Sequence, residues 1–152
     1  MKQPSRKFIW LIAAAYAAVM LLLLLNRESG ISEPPYSPQL KMHFNPIPFH
    51  TITLFLRCLM PPYRPWLVHR AIVNLLGNIL LFIPLGLLPP LLWSWARRLW
   101  KTLLLAAGIV TVVELLQMLL LVGTCDVDDL ILNVTGAAIG YGLYKLSPWS
   151  KK

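Results

Sequence analysis

At 152 residues the chain is too short for two sizeable soluble domains, and its 57% hydrophobic and 13% charged residues lie far from a soluble composition, in which about 25% are charged. A net charge of +8 would suggest nucleic acid in a soluble protein; in an apolar chain with no nucleic-acid motif it reports topology and contact with anionic lipid. The expectation is a single all-α integral membrane domain over residues 1–152, with no nucleic-acid partner and, from two cysteines alone (Cys58 and Cys125), no disulfide framework.

The first apolar segment runs from about Phe8 to Leu25 and ends in five leucines. Lys2, Arg6 and Lys7 precede it, as they would a signal peptide. The run is longer than a usual signal core and no A-x-A site follows, so it reads as a retained anchor. A long loop, residues 26–70, then holds eight of the 13 prolines, which excludes a long helix through most of it. Between Phe49 and Met60, however, Phe49, Ile52, Leu56 and Leu59 recur at helical spacing, with His50, Thr53 and Arg57 on another face. That window predicts a short interfacial helix, with an irregular surface loop as the alternative.

A second segment spans about 71–95 and carries Asn74 and Asn78, which share a helix face at i and i+4. Pro84, Gly86, Pro89 and Pro90 should kink or break it. The third, about 102–122, carries Glu114 and Gln117 on one face; the fourth, about 130–146, carries Asn133 and the small-residue pair Gly136 and Gly140. Between them the turn CDVDD concentrates three of the six acidic residues, Asp126, Asp128 and Asp129. Asp126 suits a helix N-cap and Asp129 the first helical turn. Each segment is long enough for a bilayer, which takes about 20 apolar residues.

With four crossings, nine of the 14 Lys and Arg residues fall on one side: Lys2, Arg6, Lys7, Arg97, Arg98, Lys101, Lys145, Lys151 and Lys152. The positive-inside rule then places both termini in the cytoplasm and CDVDD outside. On that topology Asn74, Asn78, Glu114, Gln117 and Asn133 all lie in the outer half of the bilayer, roughly 5–12 Å from the helix ends. Hydrocarbon penalises such groups; a mid-membrane carboxylate costs about 2.5–3.5 kcal/mol on insertion scales. A bland reading of the amides is interhelical glue, each worth about 0.6 kcal/mol. The one-sided clustering favours an outward cleft built from Asn74, Asn78, Glu114, Gln117, Asp126, Asp128, Asp129 and Asn133, with Arg70 above it as a counter-ion.

Asn74-x-x-x-Asn78-Ile79, Phe82-Ile83-Pro84-Leu85-Gly86, Glu114-x-x-Gln117 and Asp126-Val127-Asp128-Asp129-Leu130-x-x-Asn133-x-x-Gly136 stand in the order and spacing of the VanZ-like family, which the chain resembles from about residue 45 to 144. Asn45-Pro46-Ile47-Pro48-Phe49 resembles that family's Asn-x-x-Pro-Phe stretch. One departure is that Val122-Gly123-Thr124-Cys125 lacks the Gly-Arg pair that often precedes the acidic turn. The resemblance implies a multi-pass protein of the bacterial plasma membrane with a role in envelope biology or in resistance to glycopeptides of the teicoplanin type. It supplies no mechanism.

Three function classes follow. A binding protein would use the cleft for a membrane lipid, a lipoglycopeptide or a lipid-linked envelope precursor, since amides both donate and accept. An intramembrane enzyme would use Glu114 and Asp129 as acid and base, or Asp126, Asp128 and Asp129 as oxygen ligands for a divalent cation. No EF-hand loop is present, and His43, His50 and His69 are scattered. A transporter would use Glu114 as a proton carrier, but no inverted repeat is visible. The binding protein is the reading adopted; no cofactor is required by it.

Overall fold

The computed structural model describes residues 5–25, 44–120 and 124–151. The chain forms helix α1 (Arg6–Leu25), a two-residue strand β1 (Phe44–Asn45), and helices α2 (His50–Cys58), α3 (Pro65–Leu92) and α4 (Leu99–Leu119). A second short strand, β2 (Cys125–Asp126), and helix α5 (Val127–Leu146) follow, and 3-10 turns occupy Ser94–Arg97 and Pro148–Lys151. Residues 26–43 of the first loop, which include Arg27, Lys41 and His43, and residues 121 and 122 of the expected third segment lie outside the described residues.

The all-α expectation holds, and α1, α3 and α4 are long and apolar enough to cross a bilayer. Their outer faces agree: Leu22 is 60% exposed, Leu80 61% and Leu104 63%, a display that water would penalise and lipid tolerates. The fourth expected segment, α5, is a helix of 20 residues that is not among the three. Asp128, Asp129, Asn133 and Lys145 lower its hydropathy. It buries a stripe at helical period, through Asp129, Leu132, Asn133, Gly136, Gly140 and Tyr144.

The second segment departs from expectation at both ends and in the middle. It begins at Pro65, six residues early, because proline at the first helical turn lacks an N–H that would be unmet anyway and brings its φ pre-set. It stops at Leu92, where Trp93 turns extended (φ −126°, ψ 126°). It also runs as one helix through Pro84, Pro89 and Pro90. At about 1.5 Å per residue its 28 residues reach about 42 Å, more than the roughly 30 Å hydrocarbon core.

Packing explains how α3 and α5 make the most extensive contact in the fold. Gly86 of α3 faces the Ala137 carbonyl, while Gly136 and Gly140 of α5 face the Ile79 and Ile83 carbonyls. Backbone meets backbone, as small-residue helix pairs in membranes allow.

One end of the bundle is basic. The Arg6 Nη2 donates to the Leu92 carbonyl at 3.0 Å, meeting an unpaired C-terminal carbonyl of α3, and the Tyr141 hydroxyl donates to the Arg97 carbonyl at 2.6 Å. Thr102 Oγ1 closes the α3–α4 link by donating to the Ala96 carbonyl at 2.6 Å. Beneath them Ile9, Leu88, Leu91, Leu92, Tyr141 and Tyr144 form an apolar core, followed by Met20, Phe82 and Val110 at mid-height. Beyond that level the interior turns polar.

Candidate functional site

The polar layer is where the sequence-derived residues converge. Glu114 and Gln117 of α4 and Asp129 and Asn133 of α5 are each less than a tenth exposed. They line, with Asn78 of α3, a cleft of about 360 Å³. Its other walls are apolar: Met20 and Leu23 from α1, and Val73, Leu81, Phe82 and Val113 from α3 and α4. Helical spacing does the placing, since 114 and 117, and 129 and 133, each fall one turn apart on a buried face. Asn78 Nδ2 donates to Asp129 Oδ1 at 2.6 Å, joining α3 to α5 across the cleft.

Asn74, one turn from Asn78, is half-buried and does not line the cleft; its Oδ1 has no hydrogen-bond partner among the described residues. Arg70, expected as a counter-ion, is exposed.

The three aspartates separate. Asp126 is the N-cap of α5, its Oδ1 accepting from the Asp128 amide at 2.9 Å. Its Oδ2 accepts from Thr51 Oγ1 at 2.6 Å and from Asn45 Nδ2 at 3.1 Å. Asp128, fully buried, accepts from the amides of Phe49 and of Ile52, the latter at 3.0 Å. Only Asp129 turns into the cleft. A divalent ion held jointly by all three would compete with these donors, and no group of three His, Cys, Asp or Glu side chains among the described residues is placed to hold a metal.

Asn45, Thr51 and the α2 N-terminus were not among the expected site residues. The Asn45-Pro46-Ile47-Pro48-Phe49 stretch carried the signal: it returns the chain to pair β1 with β2 in parallel, Asn45 opposite Asp126. Phe49 adopts φ 63°, a left-handed conformation costly for a bulky residue. The helix expected between 49 and 60 is present as α2, and it is tied to α5 by these contacts. Cleft residues Met20 and Leu23 were also missed, because nothing in a leucine-rich run marks which side chains face inward.

Cys58 and Cys125 are both free. Burial pushes the Cys125 thiol above its ordinary range, and the carboxylates of Glu114 and Asp126 add to the shift. A raised pKa means less thiolate at a given pH. In a Cys58→Ala background, Glu114→Gln is therefore expected to move the pH profile of Cys125 alkylation by iodoacetamide toward lower pH. A superimposable profile would break the electrostatic link between the turn and the cleft.

A family model described as VanZ/LLP1 matches residues 8–148 of the chain. Neither a curated protein nor a solved structure matches it.

Proposed function

The chain belongs to the VanZ/LLP1 family, and from that premise we propose that it binds a lipid or lipophilic ligand in the Glu114–Asp129 cleft, from the outer side of the bacterial plasma membrane. In this reading α1, α3, α4 and α5 all cross, both termini are cytoplasmic, and α2 lies at the outer interface. The described basic residues gathered at one end, among them Arg6, Lys7, Arg97, Arg98 and Lys101, fit the cytoplasmic side. The ligand class includes membrane lipids, lipid-linked envelope precursors and lipoglycopeptides of the teicoplanin type, which ties the protein to envelope biology or glycopeptide resistance.

The observation that carries this reading is the mixed lining of one cleft. Five polar side chains stand beside an apolar wall, where a wholly structural polar network would be sealed by packing. An acid–base enzyme is the second reading, favoured by the presence of two carboxylates, Glu114 and Asp129, on the same cleft.

Lipid and muropeptide profiling of cells with the wild-type gene, with Glu114→Gln and without the gene separates the two. Binding predicts a lipophile that co-purifies with wild type, is depleted in Glu114→Gln, and leaves both profiles unchanged. A lipid or muropeptide species altered by the gene and restored to its null level by Glu114→Gln would establish the enzyme instead.

A further inference from the structure

The polar cleft is not closed on its apolar side. It shares Met20, Phe82 and Val113 with a second groove of about 390 Å³, which runs between α1, α3 and α4 to Trp10, Leu88 and Trp93. That groove is walled almost wholly by alkyl and aromatic groups. The hydroxyl of Tyr16, one of its lining residues, donates to the Leu81 carbonyl at 3.0 Å. From Asn78 to Leu92 the path along α3 is about 21 Å, longer than the roughly 15 Å of one leaflet's hydrocarbon. An extended acyl chain fits that length and that lining.

The polar end is rich in acceptors. Each carboxylate, at Glu114 and at Asp129, offers about four lone-pair sites, so capacity remains after any protein partner is met. Asn133 is 3% exposed and lines the cleft, yet its Oδ1 has no hydrogen-bond partner among the described residues. A primary ammonium supplies three donors and no acceptor, and its charge complements the carboxylates.

We propose that cleft and groove form one bipartite site for an amphiphile with a primary ammonium head and a single acyl chain, the head among Glu114, Asp129 and Asn133 and the chain along α3 toward Trp93. This rests on the ligand-binding reading above and specifies its ligand. The shared residues Met20, Phe82 and Val113 form the neck between head and chain.

The test uses the full chain in detergent with two photoactivatable probes, hexadecylamine and hexadecanol, each carrying a diazirine near its methyl end. The amine is expected to label the Leu88–Trp93 region roughly tenfold more than the alcohol, the value of one charge-assisted hydrogen bond. Asp129→Asn and Asn133→Leu should reduce that preference. Ala17→Trp, or Leu105→Trp should the first not fold, fills the groove and should remove the labelling. Equal labelling by amine and alcohol overturns the ammonium assignment. Thermal stabilisation by the amine that is undiminished in the groove-filled variants overturns the bipartite site and leaves the cleft reading standing. Absence of any amine stabilisation of the wild type, with no groove labelling by either probe, overturns the ammonium amphiphile and the bipartite site, while the cleft reading itself fails only if no lipophile co-purifies with the wild type.

Discussion

Gly140→Val is expected to abolish the folded protein. A Cβ at position 140 would stand 1.9 Å from the Ile83 carbonyl oxygen and 3.1 Å from the Leu87 amide nitrogen. Both are backbone atoms of α3 and neither can swing aside, so the two helices would have to part. The same geometry recurs at Gly136, 2.1 Å from the Ile79 carbonyl, and from the opposite side at Gly86, 1.8 Å from the Ala137 carbonyl. Because α3 and α5 are the most extensively packed pair, their separation removes the frame of the fold. The cost should exceed about 4 kcal/mol, a large part of the roughly 5–15 kcal/mol that stabilises a whole domain. Gly142 lies in the same helix, and a Cβ added there would meet nothing within 4 Å. Gly142→Ala should therefore be neutral or stabilising by about 0.5–1 kcal/mol. Size-exclusion profiles of the detergent-solubilised variants check both. A monodisperse Gly140→Val protein with wild-type melting would refute the close approach.

That contrast shows where the sequence was informative. The spacing of Gly136 and Gly140 signalled a tight helix contact, but Gly142 and Gly86 carry no local mark that separates a free position from a jammed one. The three apolar segments that became α1, α3 and α4 were visible from hydropathy, since lipid leaves the backbone little choice but helix, whereas the fourth expected segment became α5, a helix not among those three. The ends of α3 were not visible. Pro65 at a helix start and Pro84 within the helix are the same residue type, and only the surrounding packing distinguishes a start from a tolerated interior position. The convergence of Glu114, Gln117, Asn78, Asp129 and Asn133 was legible because each is an expensive residue in an apolar segment, and such residues turn inward. The division of labour within Asp126, Asp128 and Asp129 was not. It depends on a partner about 75 residues earlier in the chain, the Asn45–Ile52 stretch, and no local pattern reports a contact of that separation.

That division makes Asp128 the residue with the largest expected effect outside the helix contact. Its carboxylate is completely buried and meets two amides at the start of α2, those of Phe49 and Ile52. Phe49 is the N-cap of α2 and contributes no capping side chain, so a residue from α5 takes the capping role and places its charge at the positive end of the helix dipole. A nine-residue helix is marginal without such support. Asp128→Ala leaves both amides without an acceptor, at about 1–3 kcal/mol each, and releases the left-handed Phe49. The expected result is fast hydrogen exchange across residues 44–58 and a stability loss of about 2–6 kcal/mol. Asp128→Asn, which keeps one oxygen, should fall between, and Asp129→Ala should leave exchange at Ile52 slow. Retained protection of the Ile52 amide in Asp128→Ala would show that α2 is not held from α5. Since Asp128 and Asp129 are consecutive in the first turn of α5, the carboxylate that fixes the 44–58 segment and the one that enters the cleft are borne on the same rigid turn. A change that loosens the segment therefore also shifts Asp129 against Asn78, and the ligand binding proposed for the cleft should weaken in Asp128→Ala even though residue 128 does not line the cleft.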